Sequence, residues 1–368
     1  MSQVFRSTAA DNIVLINIAN TSRSFDAAAD QALLDAAADA ALNLPSRCKG
    51  GNCGACKALL KRGEIHYPNG PPLGLTAADI ADGLILLCQA RARTDLILET
   101  LEMRAADAAG RKRLPCRIER AVPLSHDVMG LYLRLPIAED FTFEAGQYID
   151  ILLEGGRRRS FSIASPPHDA RPLELHVRRV AGGEFTDRLF HEDMRASLLT
   201  IEGPLGQFTY RARRPDPLAG SQPAPRMLLI GGGTGIAPLV SILRHVIEND
   251  IERDMQLFWG VRSECDLYAQ ATLEQLSRRA ASLTYTPVLS EPTPAWRGLT
   301  GWVHDAAFAR VQDLESIEVY AAGPPAMIAA VQCEYAARGG DASRLYFDSF
   351  DYAPDTLERQ RKSAATKS

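Results

Sequence analysis

The 368-residue chain lacks any run of 18 apolar residues, so no segment is long enough to cross a bilayer as a helix. It also lacks a dominant charge. With 41 Lys and Arg against 45 Asp and Glu, the net of −4 predicts neither nucleic-acid binding nor attraction to a membrane surface. Residues Met1 to Asp11 do not have the basic-then-apolar layout of a secretory signal. The seven histidines show no metal-ligand spacing with one another or with acidic residues, and no internal repeat is present. These absences point to a cytoplasmic protein, and the length allows two or three separate cores.

Cysteine is where the sequence becomes specific. Cys48-Lys-Gly-Gly-Asn-Cys53-Gly-Ala-Cys56 is followed at a distance by Cys88. Four residues part the first pair and two part the second, the C-x4-C-x2-C…C ligand spacing of a plant-type [2Fe–2S] cluster. Gly50, Gly51 and Gly54 let backbone approach the cluster without a Cβ and turn amides toward its sulfurs. A structural zinc site would show paired hooks at both ends, whereas the fourth cysteine here stands alone. Cys116, Cys265 and Cys333 are left over, scattered and odd in number, which fits free, mostly buried thiols in a reducing compartment. A cluster only carries electrons, so the rest of the chain has to supply a donor.

Periodicity divides that remainder. Strands are expected at Asn12 to Asn17 and near Phe25, an alanine-rich helix over Asp26 to Leu42, and short strands within Lys57 to His66, Leu84 to Cys88 and Leu96 to Leu98. Residues 103–113 are polar and alanine-rich and read as a linker. From Pro115 to about Arg214, short β-rich runs broken by Gly and Pro argue for a barrel or sandwich. From Met227 onward strand and helix alternate, which implies a parallel α/β sheet. The expected layout is a cluster domain over 1–102, the linker, a flavin-type barrel over 114–218, a nucleotide-type α/β domain over 219–355 and a flexible tail over 356–368.

Two stretches carry chemistry in these later parts. Arg159-Ser160-Phe161-Ser162 offers a guanidinium fork for a phosphate and hydroxyls on a strand. Alone it reads as an ordinary exposed strand, but Gly146-Gln147-Tyr148 precedes it and His176-Val177-Arg178 and Gly182-Gly183-Glu184-Phe185-Thr186 follow. The glycine pair opens an expected helix whose free amides suit a pyrophosphate. The second stretch, Met227 to Pro238, runs an apolar strand into Gly231-Gly232-Gly233-Thr234-Gly235 and then a helix, a turn that lets a dinucleotide reach backbone. It departs from the strict G-x-G-x-x-G spacing, because Ile236 stands where the last glycine would.

As a set, these motifs resemble the ferredoxin–NADP reductase superfamily. Residues 1–102 look like a plant-type ferredoxin of the β-grasp fold. In the order ferredoxin, flavin, nucleotide, the whole chain resembles the reductase components of bacterial multicomponent, Rieske-type oxygenases. The resemblance implies Arg159 on the flavin phosphate, Ser162 beside N5 and Phe350 stacked on the flavin. It implies Ser160, Phe161, His176, Val177 and Arg178 around FAD, with Gly183, Glu184, Phe185 and Thr186 on its pyrophosphate. For the nicotinamide cofactor it implies Gly232, Gly233, Thr234, Gly235, Arg262, Gly323 and Pro324. The N-terminal position of the ferredoxin part favours FAD over FMN, and Gly-Val-Arg-Ser-x-x-Asp-Leu-Tyr favours NADH over NADPH. One residue departs from the pattern: Ala322 stands where the family commonly has Cys before Gly-Pro-Pro.

A hydride brings two electrons and the cluster accepts one, so a flavin between them makes the route NADH to FAD to [2Fe–2S] to an external acceptor. The resemblance names that acceptor as a terminal oxygenase, reached directly or through a separate ferredoxin. A deoxysugar dehydratase or a quinone are alternative acceptors. A redox-sensing module with a degenerate nucleotide site is the non-enzymatic reading, supported by Ala322 alone. Lys49, Lys57, Lys61 and Arg62 flank the cluster loop, either as a solvated face or as a dock for an acidic partner.

Overall fold

The computed structural model describes residues 13–100 and 112–350, apart from positions 20, 22, 41, 43, 45–50, 52, 53, 55, 69, 73, 181, 207, 212–224, 312, 315, 342 and 343. Most of the expected linker and all of the expected tail therefore lie outside the described residues. The chain divides into two compact units, residues 1–109 and 110–368.

The first unit is a small mixed sheet with two short helices. Its elements are β1 (Ile13–Ile18), β2 (Ser24–Ala28), α1 (Leu33–Asp39), β3 (Lys57–Arg62), β4 (Ile65–His66), α2 (Ala77–Ala81), β5 (Leu84–Leu86), β6 (Arg91–Ala92) and β7 (Leu96–Thr100). The sheet order is β2-β1-β7-β3-β5, with β1 and β7 parallel and the other neighbours antiparallel. In β1, Val14, Ile16 and Ile18 point inward and the residues between them outward, the period of two that a half-buried strand requires. The helix expected from Asp26 begins only at Leu33. Phe25 and Ala27 alternate inward, and β2 uses Asp26 to Ala28 to pair with β1, Ile13 opposite Ala28. Burial of an aromatic on a strand outweighs alanine's helix preference there.

The second unit has two lobes. The antiparallel lobe comprises β8 (Lys112–Pro123), β9 (Val128–Arg134), β10 (Tyr148–Leu152), β11 (Arg158–Ser162), β12 (Leu173–Arg178), α3 (Glu184–His191) and β13 (Leu198–Leu205). Its sheet runs β11-β10-β13-β8-β9-β12, and an isolated bridge joins Ile163, just past β11, to Leu175 of β12. Ile149, Ile151, Ile163, Leu175 and Ile201 fill its core.

The parallel lobe comprises β14 (Arg226–Gly232), α4 (Ile236–Glu248), β15 (Met255–Val261), α5 (Gln270–Arg279), β16 (Leu283–Leu289), β17 (Leu299–Thr300), α6 (Val303–Phe308), β18 (Ile317–Gly323), α7 (Pro325–Ala337) and β19 (Leu345–Ser349). All neighbours in the order β17-β16-β15-β14-β18-β19 are parallel. β14 is buried from Met227 to Gly232, as a strand covered on both faces must be. Polar bonds join the lobes: Ser241 Oγ donates to the Ser165 carbonyl at 2.8 Å in a buried bond, and the half-buried Arg244 Nη1 lies 2.8 Å from Glu174 Oε2. No described helix is long and apolar enough to cross a membrane.

Candidate active site

In the first unit, Cys56 and Cys88 are buried next to the short strands that would frame a cluster. The Leu87 amide donates to the Cys56 carbonyl at 3.1 Å, which ties the backbone just before Cys88 to Cys56. Gly51 and Gly54 both take left-handed φ, +84° and +69°, and a Cβ on Gly51 would come within 2.7 Å of Gln89. Two buried cysteine sulfurs beside a positive-φ loop fit a cluster. Cys48 and Cys53, the other two expected ligands, lie outside the described residues, as does Lys49. Lys57 and Lys61 are spent internally, on Asp79 and on Glu99, each at 2.8 Å. Asp79 also accepts from the Thr76 amide and hydroxyl; the Lys57 bond, foremost, holds its carboxyl down at about 2.

The remaining cysteines divide. Cys116 is buried, and burial pushes its thiol up to about 12. Cys265 and Cys333 are exposed, against the expectation of mostly buried thiols; Cys333 sits on α7 with its side chain outward rather than in the core.

In the antiparallel lobe, β10 and β11 pair so that Tyr148 faces Ser162 and Asp150 faces Ser160. Ser162 is buried, and Ser160 Oγ donates to Asp150 at 2.6 Å. Phe161 points to the other side of the strand and meets Phe185 of α3 with ring centroids 5.7 Å apart. This pair anchors α3 to β11. At the start of α3, Gly183 has no room for a Cβ, which would lie 2.5 Å from Thr186 Oγ1. The Thr186 hydroxyl is itself turned back on the Val180 amide and the Gly183 carbonyl, each at 3.2 Å. What α3 offers an anion is therefore its first-turn amides and positive end. Arg157 closes over this end through an ion pair to Glu184. Arg159 donates to the Arg158 carbonyl at 2.8 Å. A strand hydroxyl, a guanidinium and a helix N-terminus fit a flavin dinucleotide.

The glycine turn lies at the carboxyl end of β14, where open parallel sheets bind ligands. Gly235 is required by packing: a Cβ there would sit 2.0 Å from the Ala322 carbonyl. Gly232 would likewise strike Met327 Sδ at 2.5 Å. Thr234 stands between them in the turn Gly233–Gly235 that opens α4. Trp259 Nε1 donates to the Gly233 carbonyl at 2.9 Å and fixes the turn from β15. Arg262 is exposed just past β15, Gly323 ends β18 and Pro324 follows it. Beside them the Phe350 amide donates to the Gly323 carbonyl at 3.0 Å, and Ser349 Oγ is buried without a partner among the described residues. A buried orphan hydroxyl at the strand ends suits a site that a cofactor completes.

Sequence reasoning missed the contacts that join the two half-sites. His176 does not stand alone on β12: its Nδ1 lies 3.1 Å from the Tyr268 hydroxyl and its Nε2 3.2 Å from Glu174. Tyr268 meets Trp259 edge-to-face at 5.3 Å, and Trp259 reaches Gly233. Burial raises the Tyr268 hydroxyl, which keeps it a neutral donor. Burial alone would raise the Glu174 carboxyl too, but His176 and Arg244 outweigh it and hold it at about 2. Asp266-Leu267-Tyr268 was legible as a motif, but its reach to β12 was not.

Comparison with known proteins decides the family. Family models match residues 16–93 as a 2Fe-2S iron-sulfur cluster binding domain, 115–210 as an oxidoreductase FAD-binding domain and 229–333 as an oxidoreductase NAD-binding domain. The CDP-6-deoxy-L-threo-D-glycero-4-hexulose-3-dehydrase reductase of Yersinia pestis is 34% identical over 86% of this chain and 92% of its own. The chain belongs to the iron–sulfur flavoprotein reductases. Its cofactors are a [2Fe–2S] cluster, FAD and NAD, and it is an oxidoreductase of the electron-transfer class. Reductase component 2 of terephthalate 1,2-dioxygenase from Comamonas is 31% identical over 92% of this chain and 98% of its own. The crystal structure of an Amycolatopsis cytochrome P450 reductase superposes with a TM-score of 0.73 at 32% identity, covering 92% of this reductase and 98% of that chain.

Proposed function

We propose that this reductase takes hydride from NADH and delivers single electrons to a terminal oxygenase, directly or through a separate ferredoxin. FAD, when bound, converts the pair into single electrons and the cluster hands them out. The protein's own part is placement: Arg159 and the start of α3 hold the flavin's phosphates, Ser162 faces its ring, and Gly232 to Gly235 with Arg262, Gly323 and Pro324 hold NADH. Phe350 covers the flavin. In this reading the antiparallel lobe closes into a barrel through the Ile163–Leu175 bridge, the first unit is a β-grasp ferredoxin, and the enzyme works in the cytoplasm.

The observation that supports it is the closeness of Arg178, on the flavin side, to Gly233 in the nucleotide turn, where an added Cβ would lie 3.0 Å from Nη1. With the His176–Tyr268–Trp259 chain, it keeps the two half-sites adjoining. Stopped-flow mixing of the loaded protein with NADH and NADPH tests the donor side: flavin bleaching faster with NADPH would reverse the cofactor assignment. Co-purification from the source cell tests the acceptor. Recovery of a sugar dehydratase instead of an oxygenase would favour the second reading, which the Yersinia relative supports at 34% identity.

A further inference from the structure

We propose that His126, Cys265 and Asp266 form a binding site for a divalent cation of the zinc class. His126 lies in the turn between β8 and β9; Cys265 and Asp266 lie in the helical turn Glu264–Asp266 that follows β15 and Arg262. The three donor atoms lie within 4.8 Å of one another, and His126 Nδ1 is 3.8 Å from Asp266 Oδ1. Asp266 is buried and already set: its Oδ2 accepts from the Ser263 amide at 3.0 Å and the Ser263 hydroxyl at 2.9 Å, leaving Oδ1 to face the histidine. Cys265 Sγ is 3.2 Å from Ser263 Oγ, so one capped turn presents both sulfur and carboxylate.

A carboxylate stands behind the histidine, where metal-bound imidazoles find their partner: Asp127 Oδ1 is 4.0 Å from Nε2, beyond hydrogen-bond reach until the ring turns, and the other oxygen of Asp127 lies 3.2 Å from Arg178 Nε. One sulfur, one nitrogen and one oxygen select zinc over magnesium or calcium, which take oxygen ligands. Bonds of about 2.0 to 2.3 Å put tetrahedral donors roughly 3.5 Å apart, so the group needs to contract by about 1 Å. His126 is 62% exposed and Cys265 is exposed, which leaves both side chains free to turn. On binding, the thiol releases its proton to solvent as the zinc–sulfur bond forms, and water takes the fourth position. Such an ion would pin the β8–β9 turn to the segment just past Arg262. The site stands independently of which protein accepts the electrons.

The test uses the cofactor-loaded protein and zinc alone, with calorimetric titration and zinc-edge X-ray absorption. One ion per chain is expected, with one sulfur at about 2.3 Å and the remaining ligands nitrogen or oxygen at about 2.0 to 2.1 Å. Iron content should stay unchanged. His126→Ala and Cys265→Ala should each weaken binding at least about tenfold, the lower bound seen even for changes behind the ligands. Binding without a sulfur ligand would overturn the proposal and point to His304, Asp305 and Glu334, the other donor group among the described residues, which has no cysteine. Two or more sulfurs with loss of iron would mean that zinc had displaced the cluster. Equal affinity in both variants, or no binding at all, would also overturn it.

Discussion

Arg178 of the antiparallel lobe stands over Gly233 of the nucleotide turn: a Cβ added to Gly233 would lie 3.0 Å from the guanidinium Nη1, and Gly233 holds a φ of +54°. Gly233→Ala therefore meets both a left-handed backbone, which costs about 1 to 3 kcal/mol for other residues, and an arginine tethered to Asp127. We expect KM for NADH to rise about tenfold, equivalent to about 1.4 kcal/mol, with FAD content unchanged. Steady-state ferricyanide reduction measures it. An unaltered KM would remove the turn from the nucleotide site.

Ser162 is buried opposite Tyr148 at the end of β11, where the strands pair through their backbones. Ser162→Ala should leave FAD retention close to wild type and slow flavin reduction by at least about tenfold, the effect of one aimed donor at a reacting centre. Stopped-flow absorbance at saturating NADH separates the two. Equal loss of flavin and rate would make Ser162 a binding residue only.

Cys88→Ser removes a thiol from the first unit, while the flavin and nucleotide sites belong to the second. The variant should lose the reduced-cluster EPR signal and reduction of a protein acceptor, yet keep ferricyanide reduction near wild type. Loss of both activities would show that the flavin cannot work without the cluster unit.

Much of this was legible in the sequence because the signals are local. The Cys48 to Cys56 spacing, the Arg159 to Ser162 strand and the Gly231 to Gly235 turn each place their groups within a few residues, and strands such as Val128 to Arg134 fall where the short β-rich runs put them. The misses share another cause. Phe25 to Ala28 carries helix-forming alanines, but its fate was settled by pairing with β1, as between Ala28 and Ile13. Cys333 sits on an apolar-looking helix, and only the packing of α7 on β18 and β19 decides which side faces out. The His176–Tyr268 bond spans 92 residues, and no window on the sequence shows it.

That long-range junction sets a pH dependence. Glu174 is held at about 2 against an ordinary 4.5 because His176 and Arg244 favour its charged form more than burial disfavours it. A depressed carboxyl stabilises the fold fully above the unfolded value, near 4.5, and loses that contribution as pH falls through about 2. A shift of this size corresponds to on the order of 3 kcal/mol. Glu174→Gln should thus lower the urea unfolding midpoint of the second unit at pH 7. Its deficit relative to wild type should shrink by half or more at pH 3, where the unfolded wild-type chain is already protonated. A deficit equal at both values would mean that Glu174 acts through shape and hydrogen bonding, and that the lobes are not joined by its charge.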